Sequence, residues 1–170
     1  MIALAQGSSR YAAKRALLAA ATLAAALLGA GSHAWAARCD NQSNPVTIAE
    51  TQQMNYGTIA VTSGGGTVTI AASGTISAPG GFTVSGITSP GKFRVTGKQD
   101  CAVSISFLAG SLTGPGAAMT VQNFTTSAGA SPTLDHSNGT LDFMVGADLL
   151  VNASPLGGNY SGTYSVTVIY

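Results

Sequence analysis

The chain has 170 residues, a formal net charge of +1, 8% charged residues, 22 glycines and two cysteines. So little charge leaves no polybasic face for a phosphate backbone, and two cysteines are too few for a small disulfide-stapled scaffold. Residues 1–36 carry the three parts of a secretory signal. Arg10, Lys14 and Arg15 form a basic start, residues 16–30 are an uncharged run rich in Ala and Leu, and Ala34-Trp35-Ala36 is the small-x-small pattern of a signal peptidase site. Cleavage after Ala36 is the expectation. The apolar run is shorter than the ~20 residues that span a bilayer, and no later segment is a better candidate. No transmembrane segment is therefore expected once the leader is removed. Arg38, standing before Cys39 where a lipidation site wants a small residue, argues against a lipoprotein.

Residues 37–170 form the second part of the division, a single domain. It keeps Arg38, Lys92, Arg94 and Lys98 against six acids, a net charge near −2. Nucleic acid is excluded as a partner on that balance. Both cysteines, Cys39 and Cys101, remain, and an even count in an exported chain reads as one disulfide. A metal site would need further ligands at close spacing, and the sequence offers none.

In chain order, period-two alternation marks strands with one buried face. It is weak at residues 46–49 and 59–61, then clear at 67–70, 82–84 and 93–95. The best case is Cys101-Ala-Val103-Ser-Ile105-Ser-Phe107, where the apolar residues share one side. Residues 119–124 are a weaker candidate. Leu141-Asp-Phe143-Met-Val145 is strong and runs on through Leu149 and Val151. The last strand sets Tyr164, Val166, Val168 and Tyr170 against Ser165, Thr167 and Ile169. Turn residues separate these runs at 64–66, 79–81, 90–91, 114–116 and 155–159, and Asn138-Gly139 predicts a tight hairpin turn into the Leu141 strand. Residues 125–137 read as the longest loop. The predicted fold is all-β, an immunoglobulin-like or Greek-key β-sandwich of about eight or nine antiparallel strands.

Catalytic machinery is not visible. His136, the one histidine after the leader, sits beside Asp135 in the long loop, and no G-x-S-x-G elbow supplies a nucleophile. The acids Asp40, Glu50, Asp100, Asp135, Asp142 and Asp148 are spread singly. Asp142 and Asp148 share the polar face of one strand region, where solvated surface is the default reading and a glycosidase pair the alternative. Lys92, Arg94 and Lys98 make a small basic patch that solubility explains, although an anionic glycan could use it. No calcium loop or phosphate-binding glycine motif occurs. No cofactor or metal is expected.

Three ordered stretches resemble a bacterial family of secreted domains catalogued as domain of unknown function 4402. They are Met54-Asn-Tyr56-Gly57-Thr-Ile59 with Gly66-Thr-Val68-Thr-Ile70, then Phe93-Arg-Val95-Thr-Gly97, and last Phe143-Met-Val145-Gly-Ala147-Asp-Leu149 running to Tyr160-Ser-Gly162-Thr-Tyr164-Ser-Val166-Thr-Val168-Ile-Tyr170. More loosely, the chain is similar to fimbrial subunits of the chaperone–usher kind, exported domains that end in an alternating strand with an aromatic near the terminus. That likeness implies Tyr164, Val166, Val168 and Tyr170 as an assembly strand, with related subunits, a periplasmic chaperone and an outer-membrane usher as partners. The chain departs from such subunits in one respect: cleavage after Ala36 would leave only Ala37 and Arg38 before Cys39, so that residues 40–50 could act as a donor only if the tether lies at their start and the remainder swings free.

The resulting expectation is an exported, non-enzymatic structural subunit of a fimbria-like fibre or surface layer, at the periplasm, cell surface or outside the cell, self-associating by strand or edge pairing. The alternative is a monomeric binding module, an adhesin recognising a glycan or surface ligand through Tyr160 or the 125–137 loop.

Overall fold

The computed structural model describes Ile2–Ala3, Cys39, and residues 44–62 and 64–170. Apart from the backbone of Ile2–Ala3, the expected leader and its cleavage site lie outside the described residues. Every regular element among them is a strand: β1 Ile2–Ala3, β2 Thr47–Gln52, β3 Asn55–Val61, β4 Gly66–Ile70, β5 Ile76–Ser77, β6 Phe82–Ser85, β7 Gly91–Thr96, β8 Ser104–Thr113, β9 Met119–Thr126, β10 Thr140–Val151 and β11 Ser161–Ile169. All the ladders are antiparallel. The all-β class holds, and no described helix is long and apolar enough to cross a membrane.

Six strands roll into a nearly closed sheet in the order β2-β7-β10-β9-β8-β11. Twelve-residue β10 is shared along its length: residues 140–145 pair with β7, and residues 147–151 pair with β4, which carries β5. A second small sheet joins β3 to β6, with β1 on the other edge of β3. The inward residues follow the alternation. Val68, Ile70, Val95, Val145, Leu149 and Val166 are fully enclosed, because β-branched and γ-branched side chains on facing strands interdigitate without voids. Phe93 stacks on Phe143 at 5.6 Å and meets Tyr164 edge-on at 6.3 Å, so the aromatic centre ties β7 and β10 to β11 across the core. Tyr56 joins from β3, its buried hydroxyl donating to the Ala147 carbonyl at 2.9 Å.

Three sequence expectations change. The strand expected from Cys101 begins at Ser104 and runs to Thr113, with Cys101 and Val103 buried ahead of it. The 125–137 segment is only partly a loop. β9 continues to Thr126, and Pro132 and Leu134 are buried, with Leu134 1% exposed. Backbone bonds hold them against the disulfide region: Val103 N–H donates to the Pro132 carbonyl at 2.8 Å, and Leu134 N–H to the Cys101 carbonyl at 2.9 Å. Asn138-Gly139 does lead into β10, but the turn is wider than a two-residue hairpin. Asp135 organises it, accepting from Ser137 N–H at 2.8 Å and Asn138 N–H at 3.2 Å, while Gly139 N–H returns to the Asp135 carbonyl at 2.9 Å. An aspartate that captures backbone donors supplies the turn that the Asn-Gly pair would otherwise make alone.

Candidate functional site

The rolled sheet fails to close between its first and last strands. Among the described residues, β2 has a ladder with β7 alone and β11 with β8 alone. These two strands come close at one end, where the Tyr170 hydroxyl donates to the Asn44 carbonyl at 2.9 Å and accepts from Lys98 N–H at 2.7 Å. From that pinned end the seam runs toward Glu50 and Tyr164 without a shared ladder. An unpaired row of N–H and C=O groups on each side is what a further strand would need.

The predicted assembly strand is β11. Tyr164 and Val166 are buried, whereas Val168 and Tyr170 are only partly so. On neighbouring β8, Ile105 and Phe107 are also partly exposed, although the same inward parity is sealed on β7 at Phe93 and Val95. Partial cover is not confined to this side, since Ile59, Val61, Phe82, Val84 and Phe124 are also only partly buried against the core. Gly91, which starts β7, and Gly97, which follows it, make room for Tyr164 of β11 and for Tyr170 just beyond it. A Cβ at Gly91 would fall 2.6 Å from the Tyr164 hydroxyl, and one at Gly97 would collide with the Tyr170 hydroxyl.

Glu50 is the residue that sequence reasoning passed over. In the ladder it lies opposite Phe93, as Ile48 lies opposite Val95, so its side chain shares the inward face. The alternation of Val46, Ile48 and Glu50 carried that signal. Its Oε1 and the Tyr164 hydroxyl are both buried, and neither has a hydrogen-bond partner among the described residues. Burial pushes the Glu50 carboxyl up to about 7. Burial, then the Glu50 charge, pushes the Tyr164 phenol far above its ordinary value.

The disulfide Cys39–Cys101 is present, closing 62 residues of separation. It ties the start of the domain to the segment before β8. The remaining candidates disperse. Asp142 accepts a two-pronged ion pair from Arg94, both contacts at 2.7 Å, on the exposed face of β7 and β10. That pairing lowers the Asp142 carboxyl and neutralises the centre of the expected basic patch. Asp148 instead accepts from Thr69 at 2.6 Å and from Asn123 at 2.9 Å. Six strand residues separate the two acids by roughly 20 Å, too far to flank one glycosidic bond. His136 contacts Asp100 at 2.6 Å, and that hydrogen bond raises its pKa; the ring is fully exposed, with no nucleophile bonded to it among the described residues. No cluster of metal-ligating side chains occurs among the described residues.

Tyr160 is not a free binding residue. It is 3% exposed, and its hydroxyl donates to the Leu156 carbonyl at 2.9 Å while accepting from Gly116 N–H at 3.1 Å. It supports a groove of about 510 Å³ between residues 59–62 and the 154–158 loop.

A family model described as a domain of unknown function (DUF4402) matches residues 46–170. No curated protein and no solved structure matches the chain.

Proposed function

The chain belongs to the family of domains of unknown function (DUF4402), and from that premise we propose that it is an exported, non-enzymatic structural subunit that assembles by pairing at sheet edges. The carrying observation is the unclosed seam between β2 and β11. Open edges on a small domain are normally covered or disarmed by charge, because they recruit other strands. Here the edge strand β11 carries no charged residue, and Ile169 is 58% exposed. Half-covered Ile105, Phe107 and Val168 beside the seam add apolar area that a partner strand would remove from water.

The disulfide and the leader-like residues 1–36 support export to an oxidising compartment. A fimbria-like fibre or surface layer is the setting in which such a subunit works, with a periplasmic chaperone and an outer-membrane usher as its handling partners. Because Cys39 is tethered to Cys101, the domain's own start is held, and edge-to-edge joining is favoured over a freely swinging N-terminal donor.

The test is sedimentation and negative-stain microscopy of residues 37–170 with the disulfide intact. Concentration-dependent oligomers or fibres are expected. A clean monomer at millimolar concentration refutes the reading. The groove between residues 59–62 and 154–158 favours a second reading, a binding module for a glycan. Saturable binding on a glycan array that is lost when the 154–158 loop is altered would support it.

A further inference from the structure

Inward along β2 the sequence places Ile48, then Glu50, then Gln52, and the last two must satisfy polar atoms next to an aromatic core. Gln52 does so, its Nε2 donating to the Pro90 carbonyl at 3.0 Å. Glu50 does not: its Oε1 is buried and has no hydrogen-bond partner among the described residues, as is true of the hydroxyl of Tyr164, a side chain only 4% exposed on the other flank of the seam. An unpartnered carboxylic acid is tolerable in such a place, whereas an unpartnered carboxylate is far more costly.

The neighbouring charged groups do not relieve it. On β7, Lys92 and Arg94 occupy the exposed parity, and Arg94 is committed to Asp142. On β10, Asp142 is exposed, and Asp148 is bonded to Thr69 and Asn123. On β3, Tyr56 donates to Ala147, and on β11 the facing titratable group is the neutral Tyr164 phenol.

We propose that Glu50 is a protonation-sensitive latch on the seam: with its carboxyl neutral, β2 stays docked on β7, and when it ionises β2 loosens and bares the edge of β7, beside the already unladdered β11, to a strand of a second copy. The second half rests on the assembly reading above; the first half does not. The pH window follows from burial, which lifts the docked carboxyl from 4.5 to about 7. Opening lets it relax to its ordinary value, so opening becomes easier as pH rises from 4.5 and levels off above about 7.

The experiment is amide hydrogen exchange on the protein as isolated from the cells that express the full chain, disulfide intact, at pH 5.5 and pH 8, with β10 amides as the internal reference. After correction for intrinsic rates, β2 exchange relative to β10 is expected to rise about tenfold at pH 8, a value set below the full shift because the carboxyl is partly solvated. In Glu50→Gln, and in Glu50→Leu should the glutamine variant fold poorly, the rise is expected to vanish. A pH-independent β2 in the wild type, or a rise that persists in both variants, overturns the latch. Sedimentation of the same samples separates the two halves. Association that strengthens at pH 8 in the wild type alone supports strand addition. Exchange that responds without any association overturns strand addition and leaves the latch standing. Association at both pH values with unchanged exchange overturns the latch and leaves the assembly reading intact.

Discussion

Replacing Tyr170 by Phe removes one oxygen from the closed end of the seam and leaves the ring in place. That oxygen accepts from Lys98 N–H at 2.7 Å and donates to the Asn44 carbonyl at 2.9 Å, joining the last strand to the chain entering β2 and to the turn after β7. Each such bond contributes about 1 kcal/mol net, so the variant is expected to lose about 2 kcal/mol. For a domain of this size that corresponds to a fall of roughly 6–10 °C in Tm. Urea denaturation of residues 37–170, followed by far-ultraviolet circular dichroism, measures it, and an unchanged slope would show that only stability had moved. The seam should also widen, so sedimentation should detect more self-association than in the wild type. A loss below about 0.5 kcal/mol would refute the claim that this hydroxyl pins the seam shut.

Three further outcomes are expected. The double variant Cys39→Ser, Cys101→Ser releases a crosslink across a separation of 62, which in the loop-entropy account costs about 4 kcal/mol; denaturation with and without reductant checks it. Tyr56→Phe strips a buried donor from the Ala147 carbonyl and should cost about 1–2 kcal/mol by the same assay, with no effect on association. Stability should fall as pH rises from 4.5 to about 7, because the folded state holds the Glu50 proton more tightly than the unfolded chain. The full shift would amount to about 3 kcal/mol, and solvent access at a partly exposed carboxyl reduces it to about 1 kcal/mol. His136, raised by Asp100, loses its contribution as pH climbs above 6.5, so it runs in the same direction but starts later. Stability profiles of Glu50→Gln and of His136→Asn separate the two: the early loss should disappear in the first and persist in the second.

The amino-acid pattern by itself determined the all-β class, where most of the strands lie, and the inward side of the clear ones, though not their ends: the strand expected from Cys101 begins only at Ser104 and runs on to Thr113. That information is local, since a period of two residues is visible within any six, as in Phe93-Arg-Val95 and Leu141-Asp-Phe143-Met-Val145. The disulfide was legible for a similar reason, the two cysteines having one possible mate each. Glu50 was legible too, by parity with Val46 and Ile48, but a lone acid in a weak strand was passed over. Only the tertiary structure decided that β10 is shared between β7 and β4, that Pro132 and Leu134 pack down under the long loop, and that β2 and β11 are the two strands left without a ladder between them. These are facts of long-range pairing. The same alternating strand serves equally well inside a sheet or at its edge, and nothing in its own side chains states which neighbour it will find.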